Sequence, residues 1–224
     1  MLTVFTCVLS CSSAETKMNT LLQNYTVTTA IPKAYFSTAA KQGTVHLIEY
    51  ATYDYTQAAR PAITKKAYVY LPYGYNADDI KVRYNTLFYM HGWTGIAGEL
   101  FTVGNGFIKN MFDVMIEKGD SQPLIIVAAT FDNDNAPQDF SRSVDELGIF
   151  HHDFRNALLP FIDSHFNTNA VRNSRAFSGF SLGAVTTWYE FYYNSDLIKY
   201  FLPYERRLLD YGDVWRAVST SSNN

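Results

Sequence analysis

A chain of 224 residues with 47% apolar and 17% charged side chains can bury a substantial core, which excludes a disordered or low-complexity protein. A net charge of −3 leaves no basic footprint for nucleic acid. No run approaches the ~18 consecutive apolar residues of a membrane span.

The opening Met1-Leu2-Thr3-Val4-Phe5-Thr6-Cys7-Val8-Leu9-Ser10 is apolar, and Cys11-Ser12-Ser13 follows it. Residues 1–11 read as the residual end of a secretory signal peptide without its basic start. Val8-Leu9-Ser10-Cys11 also fits a loose bacterial lipobox, in which Cys11 carries a lipid anchor. An ordinary apolar N-terminus has the same composition. Export predicts a secreted, periplasmic or cell-surface protein. Cys7 and Cys11 are the only cysteines, so the body has no disulfide framework, no cysteine metal site and no cysteine nucleophile. Asn24-Tyr25-Thr26 is a glycosylation acceptor that matters only in a eukaryotic secretory pathway.

Residues 12–41 are polar and rich in Thr, Ser and Ala, and form a lead-in or linker to one domain over 42–224. Thr44–Tyr50 and Lys66–Leu71 alternate as half-buried strands do. Asn85–Met90 and Pro123–Ala129 are continuous apolar runs, as expected of central parallel strands covered on both faces. Phe107–Lys118 has helical spacing. A longer helix is predicted from about Val144 to Phe166, with Pro160 kinking or breaking it. Arg175–Gly179 is a short strand, and Ala184–Tyr193 the helix after it. This alternation predicts a three-layer α/β sandwich with a mostly parallel central sheet and helices on both faces. The 17 Tyr and 16 Phe either fill that core or furnish a surface that stacks on sugar or phenolic rings.

Gly179-Phe180-Ser181-Leu182-Gly183 stands where the last strand turns into its helix. In that context G-x-S-x-G is a nucleophile elbow, whose glycines let neighbouring backbone pass close to a strained, exposed serine. Ser181 would then be a catalytic nucleophile at a helix N-terminus that favours negative charge. The alternative is a small-residue turn in which Ser181 caps the helix. His91-Gly92-Trp93-Thr94-Gly95, directly after Met90, fits the loop that supplies a second oxyanion amide. The backbone amides of Leu182 and Trp93 are the candidate donors, with His91, Gly92, Gly179 and Gly183 supporting them. For His91 itself a hydrogen-bonded structural role is favoured over that of general base.

Several further segments carry a resemblance. Ala67-Tyr68-Val69-Tyr70-Leu71-Pro72-Tyr73-Gly74-Tyr75, Leu87-Phe88-Tyr89-Met90-His91-Gly92 and Pro123-Leu124-Ile125-Ile126-Val127 resemble carbohydrate esterase family 1. So do Phe154-Arg155-Asn156-Ala157-Leu158-Leu159-Pro160 and Arg175 to Trp188. The likeness covers roughly residues 42–203 and is greatest to the feruloyl esterase domains attached to xylanases. It implies an α/β-hydrolase fold and hydrolysis of feruloyl or related hydroxycinnamoyl esters of plant arabinoxylan, without metal or cofactor. Acetyl-xylan and other small-ester hydrolases are close competitors, as is a non-catalytic glycan- or ferulate-binding descendant.

The family's order is serine, then acid, then histidine, yet no histidine follows Ser181. His46, His91, His151, His152 and His165 all lie upstream. Asp196, Asp210 and Asp213 lie downstream, and Val214–Val218 is the candidate next strand. No catalytic acid or base is evident, so a truncated chain is expected. One of His151 and His152 is expected to face the core and the other solvent. His165 suits compensation of a helix C-terminus. Asp132-Asn133-Asp134-Asn135 lacks the glycine and glutamate of a calcium loop and reads as a solvated turn, or as a loop lining the cleft.

Overall fold

The computed structural model describes residues 31–102, 106–137 and 139–204. The chain divides into two compact units, Met1–Lys33 and Ala34–Asn224, and the fold is that of the second. The readings placed on Met1–Ser13, Asn24, Asp210, Asp213 and Val214–Val218 lie outside the described residues.

Strands β1 (Thr44–Tyr53) and β2 (Ala62–Leu71) pair antiparallel, and the pairing runs from Thr44↔Leu71 to Tyr53↔Ala62. Both extend beyond the alternating segments because Asp54 closes the hairpin. Its carboxylate accepts the Thr56 amide at 2.9 Å and Asn133 Nδ2 at 2.8 Å. β3 (Asn85–Met90), β4 (Leu124–Ala129), β5 (Arg175–Phe180) and β6 (Tyr200–Tyr204) complete a six-stranded sheet. Its order is β1-β2-β4-β3-β5-β6, with β2 antiparallel to β4 and the last four strands mutually parallel. Ile125, Ile126 and Val127 are wholly buried, as parallel strands sandwiched between helices must be. β6 was not legible: it alternates between exposed and half-buried and holds Pro203, so only its pairing with β5 makes it a strand.

α1 (Glu99–Thr102) and α2 (Phe107–Lys118) cover one face, over Tyr70, Ile126 and Ala128. α3 (Phe140–Asp153), α4 (Leu159–His165) and α5 (Leu182–Asn194) cover the other, around Phe88, Phe150, Phe154 and Phe177. The expected three layers are present. The single helix predicted from Val144 begins instead at Phe140, because the Asp139 carboxylate caps it by accepting the Arg142 amide at 3.1 Å. Its break is a π-helical turn over Phe154–Leu158, which ends two residues before Pro160. Proline lacks an N–H and its ring crowds the carbonyl four residues back, and the widened turn relieves both. The lead-in is tied down from Ala39: Asn110 and Glu117 on α2 accept the amides of Ala39 to Lys41, and Asp113 accepts that of Gly43 at 2.8 Å.

The core of the larger face holds ionisable groups. Glu190 on α5 is fully enclosed and accepts Asn194 Nδ2 at 2.6 Å. Burial, with the Asp153 charge adding to it, pushes its carboxyl up from an ordinary 4.5 to about 8. A carboxyl whose pKa is raised on folding stabilises the protein fully below its unfolded value, and that stability is lost as pH rises through about 8. Glu190→Gln keeps an acceptor for Asn194 and removes the charge. Urea midpoints at about pH 5 and about pH 9 should therefore show a flatter pH dependence in the variant, with a gain on the order of a few kcal/mol at the alkaline end. An unchanged slope would mean that Glu190 is ionised in the fold.

Candidate active site

The sheet register sets Met90 at the end of β3 beside Gly179 on β5, so the chain leaves both strands at one edge. Ser181 stands at that edge, between β5 and α5, with φ 54° and ψ −112°. A left-handed φ at a residue carrying Cβ stores about 1–3 kcal/mol and persists only where the surroundings hold it. Here its amide donates to the Tyr204 carbonyl at 3.2 Å, and its own carbonyl accepts the Ala184 and Val185 amides at 3.0 and 3.3 Å. A capping serine has extended backbone and spends its hydroxyl on a helix amide. Ser181 stands at the N-cap position of α5 but does neither.

The glycines answer to close approach. A Cβ on Gly183 would sit on the carbonyl oxygens of Met90 and His91, and one on Gly179 would run into the backbone of Gly183. A Cβ on Gly92 would lie 3.4 Å from that of Ser181 and 3.3 Å from Phe180 Cδ1. The loop after β3 therefore rests directly on the turn that carries the serine. Gly183→Ala forces backbone against backbone, which cannot yield as a side-chain tip would. The expected loss is roughly 3 kcal/mol, read as a lower urea midpoint at unchanged slope.

Of the candidate amides, Leu182 begins α5, where the first-turn N–H groups have no helical partner. Trp93 lies in the tight turn closed by the Gly95 amide on the Gly92 carbonyl at 3.0 Å. Its indole is 41% exposed and meets the Phe140 ring edge-on at 5.2 Å. His91 is 2% exposed and both ring nitrogens are engaged. Nδ1 donates to the Gly92 carbonyl at 2.6 Å, and Nε2 accepts the Thr130 hydroxyl at 2.8 Å. Burial lowers its pKa from 6.5 to about 4, so the ring is neutral at pH 7 and braces the loop.

The other histidines lie elsewhere. His46 is exposed on β1 and bonds Thr44, and His165 ends α4 with Nδ1 donating to the Phe161 carbonyl at 2.8 Å. His151 is buried and His152 exposed, the division expected of that pair. Among the described residues none hydrogen-bonds Ser181. Asp196 clamps Arg155 through both carboxylate oxygens, at 3.1 and 2.6 Å.

The Asp132–Asn135 segment is only partly the solvated turn expected. Asp132 and Asn133 are buried, because α3 packs its first turns over them. Asp132 accepts the Ser143 hydroxyl at 3.1 Å and lies 3.9 Å from His91 Nε2, while the Asn133 amide donates to Glu146 at 3.0 Å. Burial raises the Asp132 carboxyl to about 6. This brace of Thr130, Asp132, Ser143 and Glu146 beneath the His91 loop was missed in the sequence. The available signal was polar residues directly following a buried parallel strand.

Residues 61–197 match the family model described as "Putative esterase". A 162-residue stretch is 33% identical to endo-1,4-beta-xylanase Y of Acetivibrio thermocellus, covering 68% of this chain and 13% of that protein. A 124-residue stretch is 32% identical to an endo-1,4-beta-xylanase/feruloyl esterase of Xylanibacter ruminicola, covering 54% of this chain and 16% of that protein. The chain thus spans less than a fifth of the length of these curated relatives. Among solved structures, a mutant of the feruloyl esterase module from Clostridium thermocellum, complexed with sinapinate, superposes with a TM-score of 0.63 at 27% identity. That match covers 88% of this chain and 70% of the other.

Proposed function

The chain belongs to the esterase family whose model spans residues 61–197, and on that premise we propose that it is a serine carboxylic ester hydrolase acting on feruloyl (hydroxycinnamoyl) esters of plant arabinoxylan. The observation that carries the reading is the strained backbone of Ser181, the one residue of its turn held at positive φ with its side chain free of any cap. Strain of this kind collects at functional sites, and an ordinary turn would relieve it with glycine.

In this mechanism Ser181 Oγ attacks the ester carbonyl carbon while its proton passes to a solvent water, which returns a proton to the departing sugar oxygen. The carbonyl oxygen becomes an oxyanion facing the amides of Leu182 and Trp93. Collapse expels the sugar hydroxyl, and water then releases the acid from the acyl-enzyme. These steps need no metal or cofactor. The feruloyl preference is supported by the names of the relatives and by exposed Phe180 beside the serine and Trp93 on the loop that meets its turn, with Phe140 against Trp93, aromatic surface that suits a phenolic ring. Export follows from the substrate, since a cell-wall polymer lies outside the cell. A lipid on Cys11 belongs to the same proposal, and among the described residues no helix is long and apolar enough to cross a membrane.

The five histidines, none of which bonds Ser181, favour a second reading in which the chain retains the cleft and binds ferulate or glycan without turnover. A panel of methyl ferulate, methyl sinapinate and aryl acetate separates the two. The esterase reading expects hydrolysis fastest on the methoxylated cinnamoyl esters. Faster acetate cleavage would reassign the acyl group, and binding of ferulate without hydrolysis of any ester would establish the second reading.

A further inference from the structure

His151 and His152 take no part in the site around Ser181, yet they belong to an ordered array. The rings of Tyr55, His152, His151 and Tyr193 follow one another at centroid spacings of 5.4, 4.1 and 3.8 Å, the last pair within 11° of parallel. Tyr55 comes from the β1–β2 hairpin, the histidines from the end of α3 and Tyr193 from the end of α5. Beside the array lies a recess of about 460 Å³, lined by Gly148, His151, His152, Arg155, Tyr193 and Asn194. Clefts that take small ligands run about 300–1,000 Å³. Tyr193 stands a helix length from Leu182, roughly 17 Å along α5 at 1.5 Å per residue, so the recess is separate from the serine.

Helix packing explains part of the array but not its open side. His151 is buried and its Nδ1 donates to the Gly148 carbonyl at 3.1 Å, an ordinary bond for a core histidine. His152 is exposed, makes no protein hydrogen bond among the described residues, and presents an edge to solvent. Tyr193 is 42% exposed. The recess is also uncharged in effect. Arg155 spends its guanidinium on both oxygens of Asp196, on the Tyr193 carbonyl at 3.0 Å and on Asn194 at 2.8 Å. No carboxylate lines it, and burial keeps both imidazoles below their ordinary pKa. Partly exposed aromatic walls with hydrogen-bonding edges and no net charge suit a sugar, whose C–H groups pack on apolar ring surface while its hydroxyls reach those edges.

We propose that the recess beside His152 and Tyr193 is a secondary glycan-binding site, which holds a neutral polysaccharide backbone about a helix length from Ser181. It rests on the proposed function only for the class of polymer, and it is read by binding rather than by turnover. The test is affinity electrophoresis and calorimetry of the full chain with unsubstituted arabinoxylan oligosaccharides. The unmodified chain and Ser181→Ala should bind alike. His152→Ala and Tyr193→Ala should each weaken binding about tenfold, whereas Tyr193→Phe, which keeps the ring, should stay within about twofold. His152 is exposed, so its variant tests the surface without disturbing the core, and circular dichroism checks that each variant is folded. No binding by the unmodified chain, undiminished binding by His152→Ala, or competition by free ferulate at this site would overturn the proposal. Glycan binding without ester hydrolysis would sink the esterase reading and leave this one standing.

Discussion

Ser181→Ala is expected to remove the acyl-enzyme route and lower the turnover of methyl ferulate to what the oxyanion amides and binding alone supply, while leaving the unfolding midpoint unchanged. Alanine keeps the Cβ, so the strained φ and the contacts of Gly92 and Gly183 with the turn remain as they are. Only the hydroxyl goes, and among the described residues no group loses a hydrogen bond with it. A merely structural serine would show the opposite pattern, with stability altered and rate intact. Activity that survives the substitution would remove Ser181 from the chemistry.

The largest expected effect on stability lies at Lys65. It is 1% exposed, and its ammonium donates to the Phe131 carbonyl at 3.0 Å, pairs with Asp153 Oδ2 at 3.2 Å and lies over the Phe150 ring at 5.0 Å. Tyr50 donates to the same carboxylate oxygen at 2.9 Å, and Asp153 Oδ1 has no partner. Lys65→Met would leave that carboxylate buried without a countercharge, at a cost of roughly 3–5 kcal/mol. The double variant Lys65→Met with Asp153→Leu should recover most of the loss, because paired apolar groups of similar volume replace buried ions at little penalty. Urea unfolding at one pH measures both. Equal losses in the single and double variants would mean that the ion pair itself, rather than the stranded charge, carries the stability. The effect should reach the site as well, since Phe131 packs its ring 4.6 Å from that of His91.

What could be read from the sequence was local. The apolar run Pro123–Ala129 announces a strand covered on both sides, and the alternation in Lys66–Leu71 announces a strand at the margin of the core. Glycines two residues either side of a serine, after a strand and before a helix, announce an elbow. Each of these rests on residues within one element, so periodicity and turn chemistry are enough to see it. Where the signal needed a partner far along the chain, it was invisible. β6 is a short apolar stretch interrupted by Pro203, too brief to announce a strand alone, and is one because β5 offers it a ladder. Asp132 and Asn133 look like solvent-loving residues until α3 closes over them and Ser143 and Glu146 supply their bonds.

The sequence by itself therefore determined the layer architecture and the glycine-flanked turn between β5 and α5, because these follow from spacing along one strand, one turn and one helix. Only the tertiary structure decided which polar groups pair across the fold. It bound both nitrogens of His91 to Gly92 and Thr130, committed Asp196 to Arg155, and buried Lys65 against Asp153. Partners such as Thr130 for His91 and Asp153 for Lys65 are separated by tens of residues, and no local pattern encodes which polar groups the packing of helix on sheet will bring together.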